Sequence, residues 1–171
     1  MKFTLKSLLA GSALVAISFG ATSAQAATNS ATANANATII SAVTITKNTD
    51  LNFGTAVSGA SAGTVVVAPT AAGTQTCTTV ICTGGNNTSA NFSLSGAATY
   101  TAVMTIPATA TLTSGGNSMT ATLTNSLTAS KMVLSGTPAT DTFYVGGSLA
   151  VGANQATGSY TGTFTVTVAY Q

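Results

Sequence analysis

Once Lys2 and Lys6 are set aside, six side chains carry nearly all the reactive chemistry of this chain: Cys77, Cys82, Asp50, Asp141, Lys47 and Lys131. Histidine, glutamate and arginine are missing from the sequence. General acid–base work would rest on the two aspartates alone, and a hydroxyl nucleophile would have no imidazole to activate it. Two thiols without an imidazole are a poor zinc set. Asp50, two residues after Asn48, reads as a turn residue rather than a calcium ligand. Lys47 or Lys131 could in principle join an asparagine in an isopeptide cross-link, but nothing in the spacing favours it. The paired glycines (84–85, 115–116 and 146–147) lack the lysine and the strand–loop–helix setting of a phosphate loop. The residues therefore argue against an enzyme, with no catalytic group, no cofactor and no metal expected. What remains is Cys77 and Cys82, enclosing Thr-Thr-Val-Ile. In an exported chain with two cysteines, a local disulfide is the default. Closing so short a loop is worth roughly 2 kcal/mol, so the bridge is expected to shape a loop rather than hold the domain.

Export is read from the first residues. Lys2 and Lys6 precede an apolar run from Leu8 to Phe19, and Ala24-Gln25-Ala26 offers a small-residue cleavage site. The run is too short to cross a bilayer, so residues 1–26 read as a signal peptide and the mature protein is not itself transmembrane. Cleavage removes Lys2 and Lys6 and takes the formal charge from +2 to zero. Near-zero charge favours association, and the shortage of cations argues against a nucleic-acid partner.

The elements that must position these groups are strands. Ile39, Val43 and Ile45 alternate through Thr38–Lys47, which is closed by the turn residues Asn48-Thr49-Asp50. Further alternating runs follow at Gly63–Pro69, Asn91–Ser95, Tyr100–Ile106, Met119–Leu123, Met132–Leu134 and Phe143–Val151. Short strands punctuated by Gly, Asn and Pro read as one all-β antiparallel sandwich over residues 38–171. After the signal peptide, no segment shows helical apolar periodicity.

The most regular strand pattern is the last. Tyr160, Gly162, Phe164, Val166, Val168 and Tyr170 fall on one face of residues 158–171, and Thr161, Thr163, Thr165 and Thr167 on the other. An apolar strand with nothing after it to cover it invites another chain. Residues 27–37 form a polar extension in which Ala31, Ala33, Ala35 and Ala37 alternate with Thr32, Asn34 and Asn36. Two readings stand for it: a disordered leader, or a donor strand whose small side chains enter shallow pockets of a neighbour.

A glycine fourteenth from the end (Gly158), alternating Phe164, Val166 and Val168, and a penultimate Tyr170 resemble the C-terminal signature of chaperone–usher pilus subunits. Leu51-Asn-Phe-Gly54, Phe143–Val151 and Gly158–Val168 also resemble an uncharacterised domain family of secreted proteobacterial proteins, related to pilin and spore-coat-U-like sandwiches. The resemblance implies a six-stranded immunoglobulin-like sandwich lacking its last strand and completed by a donor strand. It implies head-to-tail polymers of the chain itself, a periplasmic chaperone, an outer-membrane usher, and a place in the periplasm and then on the surface of a Gram-negative cell. The short Cys77–Cys82 spacing departs from the long-range bridge of many such pilins. The competing reading is a self-complete secreted sandwich that serves as a coat protein or binding module.

Overall fold

The computed structural model describes residues 28–171; the signal-peptide reading of residues 1–26, and Ala27, lie outside the described residues. The chain divides into two units after Ala37. In the first, residues 28–37 carry no regular secondary structure and every one is exposed. The second, Thr38–Gln171, holds all the strands.

These are β1 (Thr44–Thr49), β2 (Thr55–Val57), β3 (Gly63–Val67), β4 (Gln75–Thr78), β5 (Ile81–Gly84) and β6 (Ala90–Ser95). They continue as β7 (Thr101–Thr105), β8 (Thr109–Ser114), β9 (Asn117–Asn125), β10 (Lys131–Val133), β11 (Thr142–Val151) and β12 (Thr167–Tyr170). The only helical element among the described residues is a 3-10 turn at Thr128–Ser130. Every ladder is antiparallel. The fold is an all-β antiparallel sandwich.

Its long axis is β11. This strand pairs with β6 over residues 142–145, with β9 over 145–149 and with β3 over 147–151. β1 extends the sheet beyond β6, β4 beyond β3, and β8 beyond β9, making seven strands. Opposed to it are a three-stranded sheet, β10-β7-β12, and a two-stranded one, β2-β5. The period-two alternation of each strand fills the space between. Phe143, Val145 and Leu149 of β11, Val65 and Val67 of β3, Leu94 of β6, and Ala102 and Met104 of β7 are all buried. Phe92 and Phe143, partners across the ladder, stack at 5.2 Å. Gly146 sits where β11 changes partner from β6 to β3, and a Cβ there would run into the Val67 carbonyl. Only glycine admits that approach.

Several expectations are revised. Twelve strands form where six were expected. The first strand begins at Thr44, not Thr38, since no neighbour pairs with residues 38–43. It also runs through the expected turn. Asn48 is bulged between Lys47 and Thr49, and its Nδ2 donates to Asn91 Oδ1 at 2.7 Å while Thr49 Oγ1 donates to the Ser89 carbonyl at 3.0 Å. The C-terminal strand is β12 alone. Residues 158–166 keep the expected alternation of burial, with Tyr160, Phe164 and Val166 half-buried and the threonines exposed, but carry only the Thr161–Thr113 bridge.

Candidate functional site: an open groove between the sheets

The seven-stranded sheet is covered unevenly. Where β10, β7 and β12 supply the second layer, Ala102 and Met104 of β7 are buried. Over the ends of β3, β8, β9 and β11 it is split into two separate runs of chain, residues 51–58 and 155–162, with a groove of about 820 Å³ between them. The floor is core from the large sheet: Val65, Leu112, Met119, Leu149 and Val151. No lining residue is charged. A smaller recess over Ala110, Leu112, Ala121 and Leu123 continues it towards Phe164, whose ring meets Phe92 edge-on at 6.4 Å.

Each wall has local causes. Gln75 Nε2 donates to the Phe53 carbonyl at 2.6 Å, and Asn52 exchanges backbone bonds with Thr88, so the 51–53 end is fixed to the large sheet's flank. At the other end the walls meet: Ser58 Oγ donates to the Gln155 carbonyl at 3.0 Å, and the Asn154 amide to the Gly59 carbonyl at 2.7 Å. The opposite wall passes close over β8. Thr161 and Thr113 exchange amide–carbonyl bonds of 2.8 and 3.0 Å, and a Cβ on Gly162 would strike the Thr111 carbonyl. The groove is thus a slot with an apolar floor and uncharged walls at residues 51–58 and 155–162. Its floor offers apolar side chains and its walls uncharged polar ones.

The C-terminal residues are shared between this slot and the closed part of the core. Gly158, Tyr160 and Gly162 line the groove and Phe164 its extension. Tyr160 folds onto its own loop, its hydroxyl accepting from Gln155 Nε2 and donating to the Ala156 carbonyl. Val166, Val168 and Tyr170 pack against the core elsewhere. β12 lies at the edge of its sheet, paired with β7 only. Tyr170 is a fastening: its hydroxyl accepts from the Ala97 amide at 2.7 Å and donates to the Ser41 carbonyl at 3.0 Å. Ala31, Ala33, Ala35 and Ala37 are exposed.

Cys77 and Cys82 form a disulfide with Cα atoms 5.9 Å apart. The remaining ionisable groups are dispersed. Lys47 pairs with Asp50 on the surface, and Lys131 Nζ donates to Gln171 Oε1 at 3.0 Å. Asp141 is 3% exposed, and its carboxylate accepts from the amides of Ser135 and Gly136, tying down the 134–141 loop. Among the described residues, no three His, Cys, Asp or Glu side chains cluster, and no helix is long and apolar enough to cross a membrane. Strand-wise spanning is a separate matter.

Sequence reasoning missed the wall at 55–58 and the latch at Gln155. Thr55-Ala-Val-Ser58 carries no motif, and only the alternation of Leu51 and Phe53 marks its approach.

Residues 43–170 match the family described as Domain of unknown function (DUF4402), and the chain belongs to that family. No curated protein and no solved structure gives a significant match.

Proposed function

We propose that this protein is a structural subunit of a surface pilus and polymerises by donor-strand exchange. The observation that carries this reading is the groove: an uncharged slot whose floor is the sandwich core and whose walls are two runs of chain with no strand between them. In this reading the sandwich is immunoglobulin-like and one strand short. The missing strand is supplied by the N-terminal extension of the next copy. Strand addition gains affinity from backbone hydrogen bonds and specificity from alternate pockets, and a head-to-tail contact of this kind propagates into a filament.

The donor has a chemistry that suits the slot. Ala31, Ala33, Ala35 and Ala37 present one small apolar face, and Ile39 continues it. Ile39 is 95% exposed, whereas Val43 and Ile45 of the same parity pack against the core. Ile39 therefore belongs with the extension as its one bulky anchor. Export by a signal peptide, a periplasmic chaperone and an outer-membrane usher complete the reading through the pilin resemblance.

Electron microscopy of cells carrying the full chain or a chain lacking residues 28–37 tests it. The truncated subunit should be exported and folded but should extend no filaments. Filaments of normal length from the truncated chain would reject donor-strand exchange and promote the coat or binding-module reading.

A further inference from the structure

The groove wall formed by β2 has little to hold it. Its ends are fastened at Phe53 and Ser58, but between them residues 55–57 form a ladder with β5 alone. A two-stranded ribbon is marginal in water by itself. The disulfide lies at the point where that ribbon meets the large sheet. Cys77 is the ladder partner of Val65, a buried residue of the groove floor. Cys82 is the ladder partner of Ala56, a residue of the groove wall. One covalent link therefore joins the floor position to the wall position by way of β4 and β5. Between the two cysteines, Val80 is buried and Thr79 is held at φ 70°, a left-handed conformation that a β-branched residue resists.

We infer that the Cys77–Cys82 disulfide is a positioning element of the groove, a staple that fixes the β2–β5 ribbon as the wall against which an inserted strand pairs. That the inserted strand is the extension of another copy rests on the function proposed above; the staple itself rests on the ladder registers. Without the bridge the sandwich stays folded, because the ladders of β11 with β3, β6 and β9 do not pass through it. The ribbon loosens, and the slot loses one side.

The test compares the full mature chain with its Cys77→Ser/Cys82→Ser form at concentrations where both are monomeric. Two readouts are taken: amide hydrogen exchange by residue, and dissociation of a fluorescent peptide of residues 28–41. The serine form should keep native protection in β11 and β9, lose protection at residues 55–57 and 81–84 by tenfold or more, and release the peptide at least tenfold faster. Native protection of β2 in the serine form would overturn the inference. So would loss of protection throughout β11, since the bridge would then hold the whole domain and not the wall. If the native disulfide-bonded chain fails to bind the peptide, the donor-strand reading fails, while exchange at residues 55–57 still decides whether the bridge holds the wall.

Discussion

Ile39 and Val43 have the same chemistry and opposite situations. Both are β-branched, both sit on the odd-numbered stripe, and both precede β1 (Thr44–Thr49). Val43 packs against the core, whereas Ile39 is 95% exposed. A bulky aliphatic side chain left in water gains nothing for the monomer, and burying it elsewhere is worth about 1.5–3 kcal/mol. Replacing Ile39 with serine should therefore leave stability within about 0.5 kcal/mol of native, as for other exposed positions. If the extension is a donor strand, the same change should nonetheless slow filament growth sharply. Serine at Val43 should do the reverse, costing about 1 kcal/mol in a denaturant melt while sparing assembly at temperatures where the subunit stays folded. Equal effects of the two substitutions on assembly would remove Ile39 from the donor strand. Asp141 shows how little the charged residues say of function here: its carboxylate is consumed by backbone amides of its own loop.

At the scale of elements, β11 (Thr142–Val151) decides the architecture because three other strands pair along it. Its Gly146 stands 2.7 Å from the Pro69 nitrogen at the position a Cβ would occupy, and hard against the Val67 carbonyl. Backbone atoms on a central ladder cannot swing aside as a long side chain can. Gly146→Ala should cost about 1–3 kcal/mol by overpacking. Gly59→Ala, whose Cβ would meet nothing within 4 Å, should be silent. Matching thermal melts of the two variants would show that β11 yields where the ladder says it cannot. The strand itself was legible: Phe143, Val145, Leu149 and Val151 alternate, and period two is a local property of sequence. So were the runs at 63–67, 91–95 and 119–123. Pairing is not local. The stripe through Ile39 predicts a strand from Thr38, yet residues 38–43 find no ladder. The stripe through Tyr160 and Phe164 predicts one long strand, yet only 167–170 finds β7. An uncovered edge was expected beside the C-terminal strand; the groove instead lies beside residues 155–162, ahead of β12. Its other wall, at 55–58, owes its place to the ladder with Cys82 and to Gln155 closing on Ser58, neither of which residue spacing reveals.

At the scale of the whole molecule, the described residues offer little surface charge with which to steer a partner. Lys47 is paired with Asp50, Lys131 is engaged with Gln171, and Asp141 is buried. Long-range attraction is weak for such a surface, so association of the kind proposed would depend on shape and backbone pairing at contact. That makes side-chain bulk the variable to change. If the extension enters the slot as a strand, its odd-numbered side chains face the core floor of Leu112, Met119 and Leu149, and its even-numbered ones face outward. Replacing Ala33 or Ala35 with leucine should overfill the pockets and impede insertion, an overpacking cost of about 1–3 kcal/mol and hence roughly five- to 150-fold in the stability of the subunit contact. Leucine at Asn34 should leave filament length and dissociation unchanged. A slip of one residue would exchange the two faces, so the alternation of effect along residues 31–37 is the quantity to measure, not the response of one site. Dissociation of assembled filaments into monomers, followed by light scattering for each leucine variant, gives that profile. A flat profile would mean that the extension does not enter as a strand. A profile strong at Asn34 and silent at Ala33 and Ala35 would keep the strand but shift its register by one.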